Sequence, residues 1–329
     1  MTVMNSSSWR LFEVIARFNI TAYEMKIFFH SKMLATQKGK QSLSQQKTSR
    51  LVSILKQSNA ISMDSDFEPL DWHEWEGIHA PTYIEKVSTG DPETYHAADL
   101  PCCQEQILAE QYSASSMLSA ANQALESGVA FSPTSGFHHA HYSSPGTFCV
   151  LNALPLTAYF LIKKCGLKSV LILDCDYHRG NGTRDILNHL DESKISHQSL
   201  GFYFVRPHQA NEYLIKLQRI CDLILNGQYE AVIYQAGMDV LIGDPAGGGI
   251  LTMQQAQIRD DLVFSACRQS RTPIVWNLAG GYQLPSSDGK HDPVIQGHIN
   301  TVNCALGEHQ VDFKPPVQQR SIAEEHLEP

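Results

Sequence analysis

The 329-residue chain contains no apolar run approaching 18 residues, so it offers no candidate membrane-spanning helix. It has no C-x-x-C pair. Its eight cysteines are scattered from Cys102 to Cys304, which argues against a zinc ribbon and against a disulfide framework. Several lie in apolar runs, as in Cys149-Val-Leu, where thiols behave as small hydrophobes; a reducing cytoplasm is the expected compartment. Positive charge is not in excess. With 25 basic against 34 acidic residues the net charge is −9, a surface that repels polyphosphate, so no direct nucleic-acid partner is expected. Repeats and low-complexity tracts are lacking, and 43% hydrophobic with 18% charged residues excludes a disordered or fibrous chain. Near the start, Glu13 and Arg17 interrupt what would be an apolar stretch, so a secretory signal is not expected. Leu11, Val14, Ile15 and Phe18 fall at helical spacing instead, giving an N-terminal extension over 1–24 with a short amphipathic helix.

Alternating strand and helix patterns follow. Lys26 to His30 reads as a first strand, and further strands are expected over Gly128–Phe131, Lys168–Asp174, Ser199–Phe204, Glu230–Gln235 and Pro273–Leu278. Helical periodicity marks Ser49–Gln57, Pro81–Val87, Cys102–Glu126, Asn152–Lys164, Asn211–Leu225 and Gln254–Arg268. The run Val170-Leu-Ile-Leu173 is apolar without alternation, as a strand covered on both faces requires. Repeated βα units imply one α/β domain over 25–310 with a mostly parallel central sheet and helices on both faces, followed by a polar tail over 311–329.

Open parallel sheets bind ligands beyond the carboxyl ends of their strands. Four such ends carry polar residues among glycines: Gly136-Phe-His138-His139, Asp174-Cys-Asp176-Tyr-His178-Arg-Gly-Asn181, Gly237-Met-Asp239 and Gly280-Gly281-Tyr282. Asp176 and His178, two apart, share a face if the segment is extended, and Asp239 is the best third donor. Two carboxylates and one imidazole with an open position describe a catalytic rather than a structural zinc site. The plainer alternative is that Asp176 and His178 cap the following helix. His138 and His139 supply proton carriers, with Asp174 and Asn181 placed to orient the two rings. Tyr282, after two glycines, can reach a pocket and donate to an oxyanion.

With Phe148-Cys-Val-Leu-Asn152, these motifs resemble the zinc-dependent histone deacetylase superfamily, including its bacterial class II-like members and the acetylpolyamine amidohydrolases, over roughly residues 25–305. The resemblance implies an arginase/deacetylase fold with Zn²⁺ (or Fe²⁺) held by Asp176, His178 and Asp239, and a structural monovalent cation near Asp174. By the same resemblance His138 and His139 are the tandem histidines, supported by Asp174 and Asn181, and Tyr282 polarises the carbonyl. Phe148 then walls a substrate tunnel, and Gly280 and Gly281 contact substrate. The implied activity is hydrolysis of an acylated amine, foremost acetyl-lysine in a protein or peptide. Alternatives are an acetylpolyamine or other small acylamine, an arginase-like ureohydrolase with two manganese ions, or an inactive acyl-lysine-binding module. The stretch from His178 to Asp239 is short for the family, so part of one tunnel wall is missing or is supplied by Phe202-Tyr-Phe204.

Overall fold

The structure is a computed structural model that describes residues 25–35, 43–287 and 291–307. The helix expected within 1–24 and the tail expected over 311–329 lie outside the described residues. Strands β1 (Met25–Phe28), β2 (Ile61–Asp64), β3 (Val129–Phe131), β4 (Val170–Asp174), β5 (Ile195–Ser199), β6 (Ala231–Gln235) and β7 (Ile274–Asn277) form a sheet in the order β2-β1-β3-β7-β6-β4-β5. Every neighbouring pair is parallel. Helices α1 (Leu43–Leu55), α2 (Pro81–Thr89), α3 (Pro92–Ala97), α4 (Gln104–Ser127), α5 (Ala153–Lys163), α6 (Asn181–Leu190), α7 (Ala210–Leu225), α8 (Met253–Ser270) and α9 (Pro293–Leu306) connect and cover it. Among the described residues no helix is long and apolar enough to cross a membrane.

The continuous apolar runs have the burial they imply. Every residue of β4, β6 and β7 is buried, and successive side chains enter opposite cores. Leu171, Leu173, Val232, Tyr234 and Trp276 pack with α7, α8 and α9 on one face. Val170, Ile172, Ile233 and Val275 pack with α4 and α5 on the other. Local chemistry punctuates the chain between these layers. Pro81 opens α2, and Gly90 closes it at φ 73°. A reciprocal capping pair, Thr252 with Gln255, starts α8.

One expected strand is displaced. The aromatics of Ser199–Phe204 suggest a strand there, whereas β5 occupies Ile195–Ser199 and ends where that run begins. Phe202 has φ 59°, a left-handed conformation that ends extended chain. The strand before it is at the sheet edge and carries partly exposed Ser196, His197 and Gln198, so it lacks the apolar run of its neighbour.

Register positions the site. Asp174 pairs with Gln235, and Gln235 with Asn277, so β4, β6 and β7 end at one level. Their loops therefore leave the sheet side by side, with β3 adjacent to β7 supplying the fourth.

Candidate metal centre and active site

A row of fully buried polar side chains forms the floor. Gln235 Nε2 donates to Asp174 Oδ1 at 3.2 Å, and Asn277 Nδ2 donates to Gln235 Oε1 at 3.4 Å. Above it, the loops after β4 and β6 bring Asp176, His178 and Asp239 together, with one donor atom from each lying within 4.8 Å of the others. His178 Nδ1 is 2.8 Å from Asp239 Oδ2 and 3.3 Å from Asp176 Oδ1. Among the described residues this is the group of three His, Cys, Asp or Glu side chains that can hold a metal ion. The segment is a series of bends, not the extended run that would put alternate residues on one face; the side chains converge through the bends.

Nor do these residues cap the next helix. Gly180 occupies the N-cap of α6 without a side-chain bond. Asp176 instead accepts the backbone N–H of His178 at 2.9 Å and of Gly280 at 2.8 Å, and Asp239 accepts that of Tyr177 at 2.9 Å. Backbone donors thus fix both carboxylates from loops remote in sequence.

Gly237 and Gly280 leave room for them. A Cβ at Gly280 would lie 2.4 Å from Asp239 Oδ2 and 2.7 Å from Asp176 Oδ2, and one at Gly237 would lie 2.7 Å from Asp176 Oδ2. Gly281 has φ 130° and packs against Met238 and Val294, so it sets the turn into Tyr282.

The electrostatics suit a cation. Burial drives the Asp239 carboxyl upward, and the neighbouring Asp176 charge adds to that shift. Burial would lower the His178 pKa, but hydrogen bonds and charge from Asp176 and Asp239 outweigh it and lift the ring to about 10. Two buried carboxylates facing one imidazole thus attract positive charge, and the donor set fits a divalent ion of the zinc type.

The loop after β3 places two histidines beside this cluster. His138 Nδ1 is 2.8 Å from Asp174 Oδ2, and His138 Nε2 is 3.7 Å from Asp176 Oδ1. His139 Nδ1 is 2.8 Å from Asn181 Oδ1, at the start of α6. Their environments drive them apart. Burial works against charge on His138, yet Asp174 and Asp176 prevail and raise it to about 9. Burial lowers His139 to about 4, reinforced by the positive charge of His138. The two rings are therefore driven in opposite directions, His138 towards the charged form and His139 towards the neutral one.

Tyr282 completes the enclosure. With His138, His139, Asp176 and Phe148 it lines a cavity of about 20 Å³, room for about one water. Burial raises the Tyr282 phenol, and Asp176 and Asp239 raise it further, so it stays a hydrogen-bond donor. Phe148 is 46% exposed, and its ring centroid is 6.1 Å from that of Tyr282. Phe202, 51% exposed, stands edge-on to His178 at 5.6 Å, occupying the side where the short loop left a wall in question. Both phenylalanines have φ 59°, as does Ala279 before the glycine pair; such strain in bulky residues gathers at functional sites.

Some participants carried no motif. Lys47, buried on α1, donates its ammonium to the Ala279 carbonyl and lies 5.9 Å from the Tyr282 ring centroid. Its burial lowers the pKa to about 8 despite the pull of Asp239 and Asp176. A second cavity of about 170 Å³, bordered by Phe148 and Tyr282, is lined by Met33, Asp99 and Glu110. A helical lysine and a helical glutamate look like solvent-facing charges in one dimension, and nothing in their spacing marks them.

The fold and site together define an open parallel α/β domain with an Asp-His-Asp cluster at the carboxyl ends of its strands. A profile of the histone deacetylase domain matches residues 41–209, just over half of the chain, and the chain belongs to that family. The crystal structure of the HDA15 HD domain superposes with a TM-score of 0.71, at 18% identity, over 89% of this chain and 92% of that one. The fold is the arginase/deacetylase α/β fold expected from the resemblance. "Histone deacetylase 2" of Arabidopsis thaliana is 30% identical over 187 residues, 51% of this chain and 48% of that protein. "Polyamine deacetylase HDAC10" of Mus musculus is 27% identical over 286 residues, 73% of this chain and 40% of that protein. The chain thus spans less than half the length of these two relatives.

Proposed function

We propose that this chain is a metal-dependent amide hydrolase that removes an acetyl or other acyl group from an acylated amine, foremost acetyl-lysine in a protein or peptide. One observation carries the reading. The Asp176, His178 and Asp239 donors converge beside two histidines, one hydrogen-bonded to the Asp174 carboxylate and the other to the Asn181 amide.

Asp176, His178 and Asp239 would hold a divalent ion, Zn²⁺ or Fe²⁺. When bound, such an ion supplies Lewis-acid polarisation of the acyl carbonyl and lowers the pKa of water from 15.7 towards about 7. The rest belongs to the chain. His139 donates Nδ1–H to Asn181, leaving Nε2 free to take the proton of the attacking water and later to deliver one to the leaving amine. His138, paired with the Asp174 carboxylate that favours its charged form, stabilises the negative charge that develops. Tyr282 donates its phenol hydrogen to the oxyanion. The site residues expected from sequence take these roles within the proposal. It does not require the monovalent cation that the resemblance places near Asp174.

Substrate size is read from the rim. Phe148 and Phe202, large apolar side chains 46% and 51% exposed, stand against Tyr282 and His178. A peptide flanking the acylated lysine would cover them. The acidic lining of the second cavity, Asp99 and Glu110, favours a second reading, a cationic acylated polyamine or other small acylamine. A single three-donor group among the described residues favours one ion over the two of a ureohydrolase. The deciding experiment assays the zinc-loaded protein against acetyl-lysine peptides, longer acyl-lysines and acetylated polyamines. Turnover of the peptides is expected; binding without turnover of any of them would make the protein an acyl-lysine-binding module.

A further inference from the structure

We propose that His141 is a positioning residue: braced by Asp185, it fixes which way the Asn181 amide points, and thereby which ring nitrogen of His139 carries the hydrogen. The proposal rests on the reading of His139 as the base and adds a residue outside every motif.

Two hydrogen bonds and one ion-pair contact follow one another. His139 Nδ1 is 2.8 Å from Asn181 Oδ1 and Asn181 Nδ2 is 3.0 Å from His141 Nε2, while His141 Nδ1 stands 3.4 Å from Asp185 Oδ2, a contact that acts through charge and not as a formed hydrogen bond. A carboxamide has one accepting end and one donating end. It can bridge two imidazoles only if one presents N–H and the other a lone pair. The choice is made at the far end. A carboxylate oxygen accepts, and Asp185 Oδ2 already takes the Tyr142 backbone N–H at 2.9 Å. Beside it, His141 keeps its hydrogen on Nδ1 and turns the lone pair of Nε2 to Asn181. The amide then donates through Nδ2, so Oδ1 faces His139 and Nδ1 of His139 must be the protonated nitrogen. His139 Nε2 is left as the base.

Both ends of the relay are anchored. Asn181 and Asp185 are four apart on α6, one above the other on the same face. The His141 backbone donates to Ser144 O at 2.9 Å and accepts from Nδ1 of His79 at 2.8 Å, whose Nε2 accepts the Asn152 N–H at 3.0 Å. His189, also on α6, stacks on Tyr142 with centroids 4.2 Å apart and holds Nδ1 3.9 Å from Asp185 Oδ1. Remove the His141 lone pair and the amide can rotate, setting its NH₂ against His139 Nδ1 and moving the ring hydrogen to Nε2, where it blocks the base.

The test compares wild type, His141→Leu and His141→Gln by nitrogen NMR of the His139 ring and by kcat and KM on an acetyl-lysine peptide, using the zinc-loaded chain. The His141 side chain is 31% exposed, so its replacement leaves the core intact. Wild type should show the Nδ1–H tautomer. His141→Leu should populate Nε2–H and lose about tenfold or more in kcat, within the general-base contribution, with KM within about twofold. His141→Gln, whose Oε1 can accept from Asn181, should restore the tautomer and most of kcat. An unchanged tautomer in His141→Leu, or equal losses in the Leu and Gln variants, would overturn the proposal. A wild type that turns over no acylamine would overturn the deacetylase reading instead, and the tautomer comparison would still decide this one.

Discussion

Replacing Gly280 by Ala tests whether the two carboxylates are held for an ion. The new Cβ would lie 2.4 Å from Asp239 Oδ2, 2.6 Å from Asp239 Cγ and 2.7 Å from Asp176 Oδ2. Unstrained non-bonded carbon contacts sit at about 3.5 Å, so both carboxylates must retreat by roughly 1 Å. Gly280 is not among the positive-φ residues, so alanine is tolerated by the backbone and the effect is one of space. Donor distances at a metal must hold to within about 0.2 Å. A displacement of roughly 1 Å is of the size that costs about 10²-fold in a positioned site. Zinc affinity, measured by competition with a chromogenic chelator, should therefore fall about 10²-fold, or ~2.7 kcal/mol. Gly166→Ala is the control. Gly166 has φ 78° with nothing within 4 Å of where a methyl would stand, so alanine there should lower stability by about 1–2 kcal/mol through backbone strain and leave zinc binding unchanged. Zinc affinity within about threefold of wild type in Gly280→Ala, with unfolding behaviour preserved, would refute the reasoning.

Tyr282→Phe should lower kcat by roughly 10²–10³ with little change in KM, as for loss of an oxyanion donor; near-normal turnover of an acetyl-lysine peptide would remove that role. Asp176→Ala and Asp239→Ala should each abolish stoichiometric zinc in elemental analysis of purified protein. Burial raises Glu110 from 4.5 to about 7, against the Gln106 amide that lowers it. The folded state thus binds the extra proton, and this contribution is full below about pH 4.5 and lost as pH rises through about 7. Glu110→Gln should flatten that part of the stability profile in urea titrations, and parallel profiles for the two proteins would contradict it. Thr301 donates to Asp260 Oδ2 at 2.6 Å within a buried cluster, in which Tyr234 and Arg259 also bond Asp260 and Arg259 reaches the Gly237 carbonyl. Thr301→Val should cost about 1–3 kcal/mol in chemical denaturation by orphaning that oxygen.

The fold is legible in one dimension where burial is two-sided. The strands β4, β6 and β7 stand out because every residue is buried, and such strands must be apolar throughout. The edge strands β2 and β5 are only half covered, so Ser62, His197 and Gln198 dilute the signal. Ile61–Asp64 shows no strand pattern, and the apolar signal near β5 lies several residues beyond the strand itself. Helix α6 opens with Asn181-Gly-Thr-Arg-Asp, and α9 includes Gly297 and several β-branched residues, so neither shows helical propensity in sequence. Tertiary packing overrides it. At the site, Asp176, His178, Asp239, His138, His139 and Tyr282 are legible because each follows an apolar run or a glycine turn. Lys47, Glu110 and His141 are not, since their roles come from helices and loops that meet the site from elsewhere.

Sequence alone determined which segments must be buried strands and which short strings of glycine, histidine and aspartate follow them. These are local properties, written in hydrophobic runs and in backbone freedom. The tertiary structure alone decided that Asp174, Gln235 and Asn277 pair across the sheet at one level, so that loops separated by tens of residues rise side by side. It also decided which partners His138 and His139 meet, a carboxylate for one and an amide for the other, because those neighbours are supplied only by folding.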